Sequence, residues 1–237
     1  ETQCSQLLSD VVGVARRSQG ATHFVGSVVY VASGDHSAVL PQWLVIDGQQ
    51  RLTTCTLLLA VLRNRLRVRG GEIPITDSPA ALDEQFLLNK FAPPALRSRL
   101  ALRGTDDMYL QKLLTGQPLP DDPTNRVSAN ASFFEAALSE HDELEVLAGL
   151  RRLMVVSVAL KPGQDNPQLI FESLNSTGMT LTQADLVRNY VLMGHAEPQQ
   201  TEWYQTYWYP LEQAFGVHYR AAFDNFLRDF LTLELNP

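Results

Sequence analysis

The chain has 237 residues, of which 45% are hydrophobic and 19% are charged. This composition is typical of a globular protein with a substantial core, and it excludes a disordered or collagen-like chain. The formal net charge is −7, so contact with a nucleic acid would need a local basic patch, because the field of the whole molecule repels phosphate. Cys4 and Cys55 are too few for a disulfide scaffold or a four-cysteine zinc site, which indicates reduced thiols in a cytoplasmic protein.

Neither a targeting signal nor a membrane segment is expected from these residues. No apolar stretch approaches the roughly 20 residues needed to cross a bilayer, so no membrane segment is predicted. The first residues lack the basic and apolar regions of a secretory signal. The chain begins without methionine and inside a helical pattern, so we expect a piece of a longer protein.

Helices and strands are mixed in the first half of the chain. Residues 2–18 space their apolar side chains as a helix does, and the β-branched and aromatic runs at 23–31 and 43–46 are typical of strands. A long amphipathic helix is predicted around residues 52–66. The remaining predictions here are a loop at 70–80, a short helix at 82–90, a strand at 97–103 and a helix at 106–114.

The second half is predicted to be mainly helical. Proline-containing turns at 116–125 indicate an internal linker, and one more strand is predicted at 154–160. The predicted helices cover 128–138, 144–152, 167–174, 182–193, 201–215 and 220–235. The expected fold class is α+β, with a small sheet-and-helix core over residues 1–115 and a mainly helical subdomain over 116–237, packed as one compact unit.

The most informative segment is a bend in which the apolar strand at 43–46 runs into Asp47 and Gly48 and then into the long helix. Gly48 permits a tight turn. Asp47, followed three residues later by Gln50, has the spacing of a capping box. On spacing alone, ordinary helix capping is the commoner explanation of this pattern.

The first helical turn after the bend is rich in polar groups. Gln49, Gln50 and Arg51 lie where the helix dipole favours an anion, and arginine can bind oxyanions in bidentate fashion. Thr53 and Thr54 add hydroxyl donors close by. Arginine in a first turn opposes the dipole preference, which favours a ligand site over a plain solvent-exposed surface.

A second polar stretch lies downstream, between residues 171 and 189. One interpretation is a helix–loop–helix corner in which Gly178 ends a helix, Thr182 caps the next and Asp185 pairs with Arg188. In that case Asn175 satisfies backbone groups of the loop. The other interpretation places Asn175, Thr177 and Arg188 at a phosphate of a nucleotide or of DNA, and both interpretations stay open.

A run of arginines near the end of the long helix also has two explanations. Positive charge is favourable at a helix C-terminus, and a basic patch could instead contact a DNA backbone. The acidity of the whole chain weakens the second explanation. The arginines are Arg63, Arg65, Arg67 and Arg69 in the helix and Arg97, Arg99 and Arg103 downstream.

Aromatic residues are concentrated between positions 203 and 209. Their helical spacing favours core packing or a seam between domains, and stacking on an unpaired base is the alternative. The residues are Trp203, Tyr204, Tyr207, Trp208 and Tyr209.

Three segments, in order, resemble the N-terminal domain of GmrSD-type restriction proteins, a ParB/sulfiredoxin-like family that includes phosphorothioate-sensing SspE-type proteins. The segments are His-Phe-Val-Gly-Ser-Val-Val at 23–29, Val-Ile-Asp-Gly-Gln-Gln-Arg-Leu-Thr-Thr at 45–54, and the stretch from Phe171 to Asn189. The third follows the family pattern F-x-x-L-N-x-x-G-x-x-L-x-x-A-D-L-x-R-N. Family members usually open with a Tyr-Gln-Arg segment near the site, and this chain begins downstream of it.

The resemblance implies a ParB-like core that binds and hydrolyses a nucleoside triphosphate, preferably GTP, with Mg²⁺. Asp47 would orient water or hold the metal ion. Gln49 and Gln50 would position the nucleophilic water or phosphate oxygens, and Arg51 would stabilise charge on the transferring phosphoryl group. The nucleotide-binding residues implied are Gly48, Thr53, Thr54, Asn175, Thr177 and Arg188.

The family also implies partners. Hydrolysis would be coupled to recognition of DNA that carries a phosphorothioate or a modified base, and it would control a C-terminal nuclease domain outside this chain. The five histidines here lack the spacing of a metal-nuclease site. A homo-oligomer is left open, and no membrane partner is expected. The alternative function is a non-catalytic ParB-like DNA-binding or oligomerisation adaptor in which the nucleotide serves only as a clamp.

Overall fold

A computed structural model of the chain describes residues 2–18, 20–33, 40–160, 187–188, 191, 199, 202–216 and 219–235. Contacts divide the chain into one unit at Glu1–Ala159 and a second at Leu160–Pro237. The predicted boundary near residue 116 falls inside the first unit. The predicted helices at 167–174 and most of 182–193 lie outside the described residues.

The described residues form helices and a small three-stranded sheet, which confirms the predicted α+β class. The helices are α1 (Thr2–Ala15), α2 (Gln49–Val68), α3 (Pro79–Leu82), α4 (Gly104–Leu114), α5 (Arg126–Ala137), α6 (Glu143–Leu150), α7 (Tyr209–Phe215) and α8 (Tyr219–Leu235). The strands are β1 (His23–Ala32), β2 (Trp43–Asp47) and β3 (Leu153–Leu160). A π-helical turn at Asp83–Leu87 continues α3, and another at Tyr204–Trp208 precedes α7. In the described part of the chain, no helix is long and apolar enough to cross a membrane.

The sheet has the strand order β2-β1-β3. β2 is antiparallel to β1, with Val29 opposite Asp47 and an irregular register just after Val29. The His23 N–H donates to the Arg152 carbonyl, and further along both strands the Tyr30 hydroxyl meets Ser157. Because these contacts advance in the same direction, β3 runs parallel to β1, as expected for a mixed sheet.

The predicted strand at 97–103 is wrong. Only an isolated bridge between Leu88 and Ser98 forms there. Pro94 begins a short 3₁₀ turn at Pro94–Leu96, and proline cannot donate a hydrogen bond to a sheet. The Arg99 N–H instead donates to the Leu87 carbonyl at the end of the π-helical turn.

The core of the first unit lies between α1, α2, α4, α5 and α6. α2 is central, because Leu58 and Leu62 are fully buried beside Leu110 of α4 and Phe134 of α5. α5 and α6 therefore belong to the same core as α1 and α2. This shared core explains why the first unit extends to Ala159.

The aromatic residues of the second unit pack among themselves. The Trp208 ring meets buried Phe223 edge-on at 5.6 Å between centroids, and Phe215 meets the same ring at 5.1 Å. Tyr204 lies 6.1 Å from Tyr209. These contacts agree with packing for Trp208, whereas Tyr207 and Tyr209 are exposed, so core packing as the explanation for the whole Trp203–Tyr209 concentration stays a prediction.

Ion pairs inside the first unit hold the arginines at the C-terminal end of α2 and at its C-cap, Arg69. Arg63 and Arg67 both contact Asp83 of the π-helical turn. Arg65 and Arg69 both contact Glu143 of α6. The arginines thus join α2 to its neighbours, and their charge is balanced within the unit instead of forming a basic face toward DNA.

Lowering the pH is expected to destabilise the first unit. The Arg69 guanidinium holds the pKa of Asp142 below its ordinary value, and Arg16 does the same for the pKa of Glu145. A carboxyl group with a lower pKa in the folded state stabilises above its unfolded pKa and loses that contribution as the pH falls. Urea unfolding should show a nearly constant free energy above about pH 5 and a decline below about pH 4.

Arg69→Gln provides the comparison for this pH dependence. This variant removes the partner of Asp142 and one of the two arginine partners of Glu143, so its free energy of unfolding should fall less steeply with acid. Equal acid slopes for the variant and the wild type would show that the Arg69–Asp142 pair does not set the pH dependence.

Candidate functional site

The bend between β2 and α2 is built on Gly48. Its φ of 88° is in the left-handed region, and it occupies the N-cap position of α2 with no side-chain capping hydrogen bond. A Cβ atom there would lie 2.9 Å from the Ser27 carbonyl oxygen and 2.9 Å from Cγ2 of Val28. Only glycine fits this bend without moving β1.

The predicted capping box of Asp47 and Gln50 is wrong. Because left-handed Gly48 takes the N-cap position, Asp47 remains the last residue of β2 and its side chain does not cap the helix. Its carboxylate Oδ2 lies 3.5 Å from Nη2 of Arg51, one helical turn further on. Asp47 is thus an ion-pair partner for the first turn of α2.

Arg51 is held from several sides. Its Nη1 donates to the Ser27 carbonyl, and its Nη2 faces Asp47. The guanidinium lies against Gly26 of β1, with no side chain between them. The Arg51 side chain nevertheless remains 39% exposed, so part of this fixed cation faces solvent.

The two glutamines of the first turn are both exposed but differ in their contacts. Gln49 donates from Nε2 to the Val45 carbonyl at 2.7 Å. This bond fixes its amide and leaves the carbonyl oxygen as an acceptor. Within the described residues, the Gln50 side chain makes no hydrogen bond. The bend therefore exposes three groups to solvent: the carbonyl oxygen of the fixed Gln49 amide, the Gln50 amide and the Arg51 guanidinium.

The geometry of the bend can be compared with known proteins. The family model described as the N-terminal domain of the GmrSD restriction endonuclease matches residues 1–192. This match covers most of the 237-residue chain. The chain belongs to the GmrSD N-terminal domain family. It is thus part of a restriction protein, as the sequence resemblance predicted. A search among curated proteins gave no match.

The family match covers both polar stretches singled out in the sequence and ends before α7 and α8. Of the residues predicted to bind nucleotide in the second stretch, Asn175 and Thr177 lie outside the described residues. Arg188 is described and belongs to the second unit. Its predicted partner Asp185 is also outside the described residues, so that pairing stays a prediction.

Arg188 takes part in a polar cluster. Its Nη1 lies 3.0 Å from Oε1 of Glu212, and the Tyr204 hydroxyl donates to the other carboxylate oxygen at 2.7 Å. Burial and the hydrogen bond to Glu212 raise the pKa of Tyr204 to about 12. The phenol therefore keeps its proton at neutral pH and acts as a donor to Glu212.

The threonines of α2 in this GmrSD domain use their hydroxyl protons inside the helix. Thr53 donates to the Gln49 carbonyl at 2.8 Å, and Thr54 donates to the Gln50 carbonyl at 2.7 Å. Both retain lone pairs that can accept a hydrogen bond. In this geometry they reinforce the first turn, and their predicted contact with nucleotide stays a prediction.

The structure places neither a reactive thiol nor a carboxylate-rich metal site among the described residues near α2. Burial raises the pKa of the Cys55 thiol to about 11, so it stays protonated and is a poor nucleophile at neutral pH. Across the described ranges, no cluster of three or more His, Cys, Asp or Glu side chains is placed to hold a metal ion. Asp47 is the carboxylate at the bend that could meet a metal brought in by a substrate.

Sequence reasoning missed Gly26 and Ser27 as parts of the site. Gly26 has a φ of 111° within β1, and Ser27 contributes only its backbone carbonyl. A glycine inside a strand often marks a close approach of another group. That signal was present in the Phe-Val-Gly-Ser run, whereas a backbone carbonyl leaves no mark in the sequence.

Proposed function

We propose that this GmrSD N-terminal domain hydrolyses a nucleoside triphosphate, preferably GTP, at the bend between β2 and α2. In this reaction water attacks the γ-phosphorus, the bond from phosphorus to the bridging oxygen breaks, and a nucleoside diphosphate and inorganic phosphate leave. The observation that carries the proposal is the guanidinium of Arg51, fixed against β1 yet partly open to solvent.

Arg51 suits the stabilisation of a phosphoryl group. Phosphoryl transfer is driven mainly by positioning and by neutralising charge on the transferred oxygens. A guanidinium has more N–H donors than the Ser27 carbonyl and Asp47 occupy. The first N–H groups of α2 have no side-chain cap and add positive potential at the same place.

Gln49 and Gln50 have different proposed roles, one at the attacking water and the other at the phosphate oxygens. Gln49, whose Nε2 is held by the Val45 carbonyl, can accept a hydrogen bond from the attacking water through its free oxygen. Gln50, with an exposed side chain, can donate its amide hydrogens to phosphate oxygens. This assignment narrows the roles implied by the resemblance, which left the two residues interchangeable.

Mg²⁺ is proposed to enter as part of the nucleotide substrate. Magnesium is commonly bound by one or two carboxylates together with substrate phosphates, and Asp47 supplies one carboxylate at the bend. The side chain of Asp47 is 16% exposed, so a small part of it can be reached. When bound, Mg²⁺ would neutralise phosphate charge.

The wider role proposed is that of an SspE-like sensor. Membership in a restriction protein family makes DNA the expected partner, and hydrolysis would depend on whether that DNA carries a phosphorothioate or a modified base. A C-terminal nuclease domain would respond to the hydrolysis step. Because α2 arginines pair internally, DNA contact would use other surfaces, and exposed Arg97 and Arg103 are candidates.

Phosphate release tests the proposed activity directly. Purified chain should release phosphate from GTP in the presence of Mg²⁺, with ATP and CTP as comparisons, and modified DNA should change the rate. Arg51→Ala should lower kcat by about 100- to 1,000-fold, as expected for loss of a group that stabilises developing charge. Asp47→Ala should also lose turnover.

Arg67→Ala is the matched control. Arg67 lies on the same helix, is 42% exposed and pairs with an aspartate, but it is remote from the bend. Its turnover should equal that of the wild type. Unchanged turnover in Arg51→Ala would remove the proposed site, and nucleotide binding without turnover in the wild type would favour the clamp function.

A further inference from the structure

Gly26 makes an unusual contact for a residue inside a strand. Its φ of 111° is in the region that favours glycine, and the space where a Cβ would stand belongs to Arg51. Such a Cβ would lie 3.0 Å from Nη1, 3.2 Å from Cζ and 3.4 Å from Nε. The guanidinium therefore lies face-on against the bare backbone of β1.

The steric conflict at Gly26 falls on the end of a flexible side chain. Around Gly48, by contrast, an added Cβ meets the Ser27 carbonyl and the Val28 backbone. A methyl group at position 26 would move the guanidinium, because the arginine side chain yields more easily than the backbone of β1. Movement by a few tenths of an ångström would change how the Ser27 carbonyl and Asp47 direct the guanidinium.

Another glycine of the same chain separates this contact from simple backbone strain. Gly20 has a φ of 95°, close to that of Gly26, and a Cβ added there would have no atom within 4 Å. Alanine at either position would bear a similar conformational cost. Only at position 26 would it also displace Arg51.

We infer that Gly26 is a positioning residue for Arg51: it lets the guanidinium seat against β1, where the Ser27 carbonyl and Asp47 fix its direction. This inference rests on the proposed hydrolysis for its consequence on rate. Misplacement of a charge-stabilising group by about 1 Å can cost about 100-fold in rate. Gly26→Ala displaces the guanidinium by less than that and should therefore lower kcat by about 10-fold, with a smaller change in KM.

A double-mutant cycle tests whether Gly26 acts through Arg51. The variants are Gly26→Ala, Arg51→Lys and the double variant, with Gly20→Ala as the control for backbone strain. Lysine keeps the positive charge but is slimmer, so a methyl group at position 26 has no guanidinium to displace. In the Arg51→Lys background, adding Gly26→Ala should lower kcat by less than about 3-fold, a non-additive result.

The outcomes of the cycle are distinct. Non-additive loss of kcat, with Gly20→Ala near wild type and all variants folded by circular dichroism, supports the inference. Additive losses, or an equal loss of kcat in Gly20→Ala, would overturn it while leaving the proposed hydrolysis intact. Absence of turnover in the wild type would instead remove the proposed function.

NMR spectroscopy tests the position of the Arg51 guanidinium independently of activity. Because separate groups hold Nη1 and Nη2, rotation of the Arg51 guanidinium about Nε–Cζ should be slow in ¹⁵N NMR spectra, with Arg51→Lys used to assign the signal. Rotation should stay slow in Gly20→Ala and become fast in Gly26→Ala. Slow rotation in Gly26→Ala would contradict the inference even if its turnover fell.

Discussion

Replacing Arg63 by methionine is expected to lower the free energy of unfolding by about 3 to 5 kcal/mol. Arg63 is fully buried toward the C-terminal end of α2, with Nη1 3.1 Å from Oδ1 of Asp83. Its Nη2 donates to the Leu114 carbonyl at 2.9 Å, at the end of α4. Removing the guanidinium leaves a carbonyl at a helix end without its donor and a carboxylate without its buried partner.

Arg67→Met is the control for Arg63→Met. Arg67 contacts the same Asp83 carboxylate at 2.9 Å but is 42% exposed. Ion pairs of that kind contribute about 0 to 1 kcal/mol. Urea unfolding should therefore show a much larger loss in the free energy of unfolding for Arg63→Met than for Arg67→Met. Similar losses for the two would show that burial of Arg63 adds nothing to the pair.

The double replacement Arg63→Met with Asp83→Leu should recover part of the loss. A buried ion pair replaced by apolar groups of similar volume is often neutral, whereas one partner alone is costly. Burial lowers the pKa of Arg63, and Asp83 opposes that fall, which shows the same competition between desolvation and charge. A double variant as unstable as Arg63→Met would place the cost in the lost bonds to α4 instead.

Gly149→Ala should destabilise the first unit by about 3 kcal/mol, as overpacking at a close helix contact does. Gly149 lies in α6 where this helix crosses α1. A Cβ there would overlap the carbonyl oxygen of Val11 and would lie 2.9 Å from Cγ1 of the same residue. The obstacle includes backbone, so the two helices must move apart.

Gly13→Ala gives the opposite expectation and serves as the control. Gly13 lies inside α1, and an added Cβ would meet no atom within 4 Å. Alanine is favoured over glycine within a helix by about 1 kcal/mol. Thermal unfolding should show a lower Tm for Gly149→Ala and a higher Tm for Gly13→Ala. A decrease in Tm of similar size in both variants would contradict the assigned contact between α1 and α6.

The elements themselves were largely predictable because they depend on local periodicity. The strand pattern of 23–31 and 43–46 and the leucine spacing of α2 each reflect which face of one element is buried. The predicted strand at 97–103 failed because Pro94 and the π-helical turn direct the backbone elsewhere. The hydrophobic periodicity of a segment does not predict backbone contacts of this kind.

The bend at Gly48, the polar first turn with Arg51 and membership in the GmrSD N-terminal domain family were predictable, because they depend on neighbouring residues in a fixed order. The folded chain was needed to show that Asp47 pairs with Arg51 instead of capping α2, and that Gly26 and Ser27 contact the guanidinium. Ser27 and Arg51 are 24 positions apart. Contacts of that separation arise from how β1 and α2 pack, and packing depends on the whole core.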